Sequence, residues 1–226
     1  ETRMGELFGR YGTETVHQAA LEIFRQSEQL DRQAVAEIPD GEYYAEGCLD
    51  NDGITPEERP LKVKVTIRGE EMTIDLSGSA RMGVGPINCG EAQTIAACRV
   101  GYKEVINPDS QVSGGTFRNL NVIVEKGSFL AAEEPAPCGW YFTGLGLLID
   151  LIIKALAPVI PKQAAAAHYG DSNVILFSGY DSIREKQFAI CEATAGGWGA
   201  YDGDDGQNGM INVVNGDLKN WGIEFI

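Results

Sequence analysis

Over the first forty positions, apolar and polar residues alternate with a helical period. Leu7, Val16, Ala20, Leu21, Phe24, Leu30, Ala34, Val35 and Ile38 follow three-to-four spacing, which predicts an amphipathic helical stretch. Gly12-Thr13 breaks it, with Thr13 as N-cap of a long second helix. The "PDG" at 39–41 ends that helix. The period then drops to two. In "LKVKVTI", Leu61, Val63, Val65 and Ile67 share one face, and Lys62, Lys64 and Thr66 the other. That is the pattern of a half-buried strand. "GEYYAEGCLDNDG" before it reads as a strand closing in an Asn/Asp/Gly turn, and "MTIDLSGS" returns after the tight turn "RGEE" as its hairpin partner. A helix is predicted from Ala92 to Val105 and a short strand over 117–124. A buried helix in "GLGLLIDLIIKALAPVI" (144–160) is stopped at Pro158 and Pro161. A strand at 173–178 should pair with the alternating "KQFAICEA", and "MINVVN" and "WGIEFI" close the chain. Helices and antiparallel hairpins in blocks imply an α+β fold, with an antiparallel or mixed sheet around one core, and not a regular βαβ alternation. The expected organisation is a helical segment over 1–40 and an α+β domain over 41–226.

Composition narrows the class. The 226 residues carry 33 acidic and 18 basic side chains, a net charge of −15. Such a negative surface repels phosphate backbones, so nucleic acid and anionic membrane are excluded as expected partners. Asp150 and Lys154 interrupt the longest apolar run, which is too short to span a bilayer. Five cysteines without a CxxC pair read as reduced thiols in a cytoplasmic protein.

Candidate chemistry centres on "ATAGGWGAYDGDDGQNG" (193–209), where Gly and Asp cluster around Trp198 and Tyr201. Glycine is normally kept out of element interiors, so such density serves a backbone shape or a close approach. The chain lacks the GxxxxGK[ST] of a P-loop. In "GWGAYD", Asp202 stands where a dinucleotide fingerprint needs its third Gly. Counted from Asp202 as a calcium loop, Gly206 falls at position 5 and Val213 at 12, where ligands are required. What remains is a shaped loop with three carboxylates, Asp202, Asp204 and Asp205, or a solvated acidic turn. His168 precedes Asp171 by three, a spacing that can supply a metal-ligand pair, an oriented base or a structural hydrogen bond. Asn88, in "GPINCG", can orient a carbonyl or cap the next helix. Trp140 and Tyr141 can line an apolar pocket or pack in the core. Cys138 has no paired His in sequence and reads as an incidental thiol.

Several blocks in order carry a family resemblance. "RYGTETV" with the long helix and "IPDGEYYAEGCLDNDG", then "IDLSGSARMGVGPINC", "GGTFRNLNVIVEKGSFLAAEEPAPC" and "GGWGAYDGDDGQNG" with "NVVNGDLKNWGIEFI" together resemble the hydantoinase B/oxoprolinase family. Members are usually more than twice this length, so the chain resembles a middle-to-late part of one. The resemblance implies a component of an ATP-dependent cyclic-amide hydrolase, acting on hydantoins, oxoproline or lactams. Its alternatives are a component of an acetone or acetophenone carboxylase, or a non-catalytic domain that binds the other subunits. It implies a hetero-oligomer in which a hydantoinase A-like partner binds ATP and activates a small-molecule substrate, which fits the missing P-loop. The family's metal-binding His/Asp motif lies in an N-terminal region outside these residues, so no metal ligand carries over and any metal ion belongs there. Two departures, "CGWYFTG" near the buried helix and "NWGIEFI" near the end, leave the substrate open. On this reading Asp202, Asp204 and Asp205 supply a general base. Gly196, Gly197 and Gly199 frame an oxyanion site. The His168/Asp171 pair, Asn88, Trp140 and Tyr141 stand around them.

Overall fold

A computed structural model describes residues 2–170, 174–193 and 196–209. The chain opens with α1 (Thr2–Tyr11) and α2 (Thr13–Ala36). Gly12, at φ 79°, occupies the N-cap, and Thr13 is the first helical residue. The break therefore uses a conformation that glycine adopts freely, in place of a threonine side-chain cap. Four strands then build one sheet in the order β1 (Gly41–Leu49), β2 (Arg59–Arg68), β3 (Glu71–Asp75), β4 (Leu120–Ile123). β1 and β2 pair antiparallel, with Tyr44 opposite Lys64 and Glu46 opposite Lys62. β2 and β3 form the expected hairpin around Gly69-Glu70, with Arg68 opposite Glu71 and Gly69 at φ 58°.

β4 runs parallel to β3, with Met72 opposite Leu120. A parallel neighbour needs a crossover rather than a tight turn, and α3 (Glu91–Val105) lies within that connection. The sheet is therefore mixed, and the fold is α+β. α4 (Tyr141–Leu156) ends before Pro158, as the proline requires. A separate hairpin, β5 (Val174–Asp181) with β6 (Lys186–Ala193), follows.

The core confirms the period-two reading. Leu61, Val63, Val65 and Ile67 are fully buried, as are Met72 and Ile74 on β3. Each such side chain contributes about 1.5–3 kcal/mol relative to exposure. α4 packs across β1 and β2, α3 packs on α4, and the end of α2 reaches β3. Helices α3 and α4 approach closely at Gly101, where a Cβ would meet Ile152 Cδ1 at 3.0 Å. Val35 and Ile38 join the same core. Among the described residues, no helix is long and apolar enough to cross a membrane.

Candidate functional site

The residues singled out from sequence fall at two places along α4. Asn88, Trp140 and Tyr141 gather at its N-terminal end. There the Trp140 N–H donates to the Pro86 carbonyl at 2.8 Å. Asn88 is fully buried. Its Oδ1 accepts the Gly83 N–H at 2.8 Å, and its Nδ2 donates to the carbonyls of Gly83, Gly85 and Pro137 at 2.9–3.0 Å. Asn88 thus clamps its own loop and presents no exposed donor. Trp140 is half-exposed and stacks edge-on with Phe142 at 5.4 Å.

Asp52 completes this clamp, and sequence reading passed over it as a turn residue. Its carboxylate accepts N–H groups from Ile54 and Thr55 in its own turn and from Val84 and Gly85 across the loop. Arg59 Nη2 pairs with it at 2.9 Å. The Thr55 N–H, with those of Ile54 and Gly85, holds its carboxyl well below the ordinary carboxylate range against the opposing cost of burial. A pKa depressed in this way adds stability above the ordinary carboxylate pKa and loses it in acid.

The second place lies on the C-terminal half of α4. A cavity of about 600 Å3 is lined by Asp150, Lys154, residues 164–167, Tyr201 and Asp202, among others. His168 is buried behind it. Its Nδ1 lies 2.7 Å from Asp150 Oδ2, and its backbone N–H donates to Asp150 Oδ1 at 3.5 Å. Asp150 is thus a carboxylate partner of His168; Asp171, proposed from spacing, lies outside the described residues. The signal was present in "LLIDLII", where a carboxylate inside an apolar helix requires a partner.

The Gly/Asp loop contributes Ala200, Tyr201 and Asp202 to the lining of the same cavity. Ala166 donates its N–H to the Ala200 carbonyl at 2.9 Å, and Trp198 donates to Gln207 at 2.9 Å. A Cβ on Gly199 would come within 2.5 Å of the Ala166 carbonyl, and one on Gly206 would overlap the Trp198 carbonyl oxygen. These glycines serve close approach. Gly196 packs on the Tyr169 ring, whereas Gly197 faces open space. Tyr201 and Asp204 bracket a tight turn, exchanging backbone hydrogen bonds at 3.1 and 3.2 Å, with Gly203 at φ 105° between them. Asp204 is engaged by its own loop, accepting the Asp205 N–H and the Tyr201 hydroxyl. All three aspartates are exposed, and of the three Asp202 lines the cavity. Among the described residues, no group of three His, Cys, Asp or Glu side chains can hold a metal ion.

Glu104, on the facing turn of α3, was not foreseen. Burial first, then the neighbouring Asp150 carboxylate, push its pKa from 4.5 up to about 7, against a lowering by His168. The protonated form therefore favours the fold. That stability is complete below about pH 4.5 and is lost as pH rises through about 7. Glu104→Gln removes the dependence. Its unfolding free energy should stay level from pH 5 to 8 in denaturant titrations, while the parent falls by on the order of 2 kcal/mol. A parent profile as level as the variant's would exclude the buried proton. The remaining buried thiols are inert, with burial pushing Cys89 up to about 11 and Cys98 up to about 12.

Comparison with known proteins gives this geometry a context. The profile of the Hydantoinase B/oxoprolinase family matches residues 1–226. A Pseudomonas sp. (strain NS671) protein, provisionally named as the B component of a D-/L-hydantoinase, is 32% identical over 98% of this chain and 38% of its own length. The beta chain of the Pseudomonas jessenii caprolactamase is 25% identical over 80% of this chain and 31% of its own length. The chain thus spans less than two-fifths of these curated relatives. The crystal structure of the ATP-dependent caprolactamase from Pseudomonas jessenii shares the fold, with TM-score 0.83 and 23% identity over 94% of this chain and 37% of that one. A nucleotide-free acetone carboxylase structure does so at TM-score 0.81 and 17% identity, over 96% of this chain and 32% of that one.

Proposed function

The chain belongs to the hydantoinase B/oxoprolinase family, and from that membership we propose that it forms part of an ATP-dependent hydrolase of cyclic amides. A hydantoinase A-like partner binds ATP and phosphorylates the amide, and this chain completes the ring opening. Asp202 takes a proton from water, and the resulting hydroxide adds to the activated carbonyl carbon. The C–N bond of the adduct then breaks and the nitrogen takes up a proton, leaving an acyl phosphate that a second water hydrolyses to carboxylate and phosphate. Backbone N–H groups around Gly196, Gly197 and Gly199 stabilise the oxyanion.

The observation that carries this reading is that the Gly/Asp loop places Asp202 in the lining of the 600 Å3 cavity together with Asp150, which His168 holds from behind. A purely structural loop would pack on the core away from any cleft. Uncovered apolar surface supports an assembly. Phe177 opposite Ile190, with Ile175 and Phe188 beside them, forms one face of the β5–β6 hairpin, 41–53% exposed. An isolated two-stranded ribbon is marginal in water and gains from a covering partner.

The test is turnover by the assembly purified through this chain. It is supplied with ATP and a panel of hydantoin, 5-oxoproline, caprolactam and acetone. Ring-opened product formed one-for-one with ADP from a cyclic amide is expected. Carboxylated acetone as the product would select the carboxylase alternative, and no ATP-coupled product from any member would reject both.

A further inference from the structure

Two hollows meet at Lys154. The first, of about 610 Å3, lies against β1 and β2 and is lined by Tyr44, Lys62, Lys64 and Asp75, among others. The second is the cavity beneath the Gly/Asp loop, walled by Leu147, Leu151, Ala157 and the alanines at 164–167. Glu46 and Lys154 line both.

The charges are unequally matched. Lys64 faces Asp75 at 3.5 Å, and Asp150 is held by His168. Lys154 has no carboxylate within ion-pair distance among the described residues. Its Nζ reaches only the Glu46 carbonyl oxygen, at 3.4 Å, near the limit of a hydrogen bond. It is also the one Lys or Arg among the described residues lining the second cavity. Its place in the last turn of α4 suits a cation, but a helix end supplies only a partial charge and leaves the ammonium able to bind more. An ammonium beside apolar walls fixes the orientation of a ligand with one charged end.

We propose that the joined hollow binds a small organic monoanion with an apolar body, of the medium-chain carboxylate class. Its oxyanion lies on Lys154 and its hydrocarbon against Leu147, Leu151 and the alanine wall. Glu46 and Asp202, both in the lining, disfavour a second negative charge on the ligand. Hydrolysis of a cyclic amide generates a carboxylate end of this kind, on a product that also carries the released nitrogen. That functional link rests on the reading of the cavity as the substrate site, whereas the binding claim does not.

Calorimetric titration of the intact assembly with hexanoate and with hexylamine tests the site. Hexanoate should bind saturably, and hexylamine should not. Lys154→Gln should weaken hexanoate about three- to fivefold, as expected for an exposed charge pair, and Lys154→Arg should retain it. Equal affinity in parent and Lys154→Gln, or hexylamine binding as tightly as hexanoate, would overturn the proposal. Hexanoate binding with the expected Lys154 dependence, alongside unimpaired turnover in Asp202→Asn, would leave this site standing and remove the hydrolytic reading alone.

Discussion

Gly85→Ala is expected to lower the unfolding free energy by about 3 kcal/mol, read as a fall in denaturant midpoint without a change in slope. The cause is local. A Cβ at Gly85 would overlap the Asp52 carbonyl oxygen, and the nearest side-chain atom, Asp52 Cγ, would stand 3.0 Å away. Relief requires the backbone of 83–85 to move off Asp52. That motion breaks hydrogen bonds donated by the Val84 and Gly85 N–H groups to the carboxylate, at 3.1 and 3.2 Å. It also strains the Asn88 clamp, which holds the Gly83 and Gly85 carbonyls. A buried carboxylate left short of donors is costly. Gly197→Ala is the control, because nothing lies within 4 Å of its Cβ, and it should stay within about 0.5 kcal/mol of the parent. Equal stability of the two variants would show that the clamp carries no stability.

The same pair of loops shows where sequence reading succeeds and where it stops. Period two in "LKVKVTI" and period 3.6 near the start are local properties, and they predicted β2 with its buried face and the two N-terminal helices, although α1 buries no residue and Leu7, Leu21 and Leu30 of the expected apolar face are exposed. Proline ended α4 where expected. The clamp was not legible, because "DNDG" and "GPIN" are each ordinary turn sequences, and 32 residues separate Asp52 from Val84. Only the folded β1–β2–β3 sheet brings them together. His168 was legible as a chemical candidate, but its contact with Asp150 was not. The 18-residue separation of Asp150 from His168 is closed by α4 turning back through the proline-rich stretch. Glu104 carried no signal, since its shifted proton arises from packing of α3 against α4. The Gly/Asp loop was singled out by composition. Gly199 and Gly196 proved to be sites of close approach to Ala166 and Tyr169, and of its three aspartates Asp202 lines the cavity beside α4.

That aspartate carries the largest expected effect on function. Asp202→Asn should reduce ATP-coupled ring opening by roughly two to four decades, the usual loss when a general base is removed. Asparagine keeps the size and the turn, and Asp202 makes no hydrogen bond that the Tyr201–Asp204 turn depends on. Stability should therefore hold, and the loss would fall on chemistry. Asp204→Asn should instead loosen the turn, since its carboxylate accepts the Asp205 N–H and the Tyr201 hydroxyl. A smaller decrease, with altered loop protection in hydrogen exchange, is expected there.

The central claim is that this chain completes the hydrolysis rather than only holding the assembly together. The rate of ring-opened product formation in the Asp202→Asn assembly, at saturating ATP and beside the parent, tests it most directly. The account predicts product falling by about a hundredfold or more while the partner still binds ATP and the assembly stays intact. Product formation at the parental rate would contradict it, leaving this chain a domain that only binds its partners, with the chemistry elsewhere.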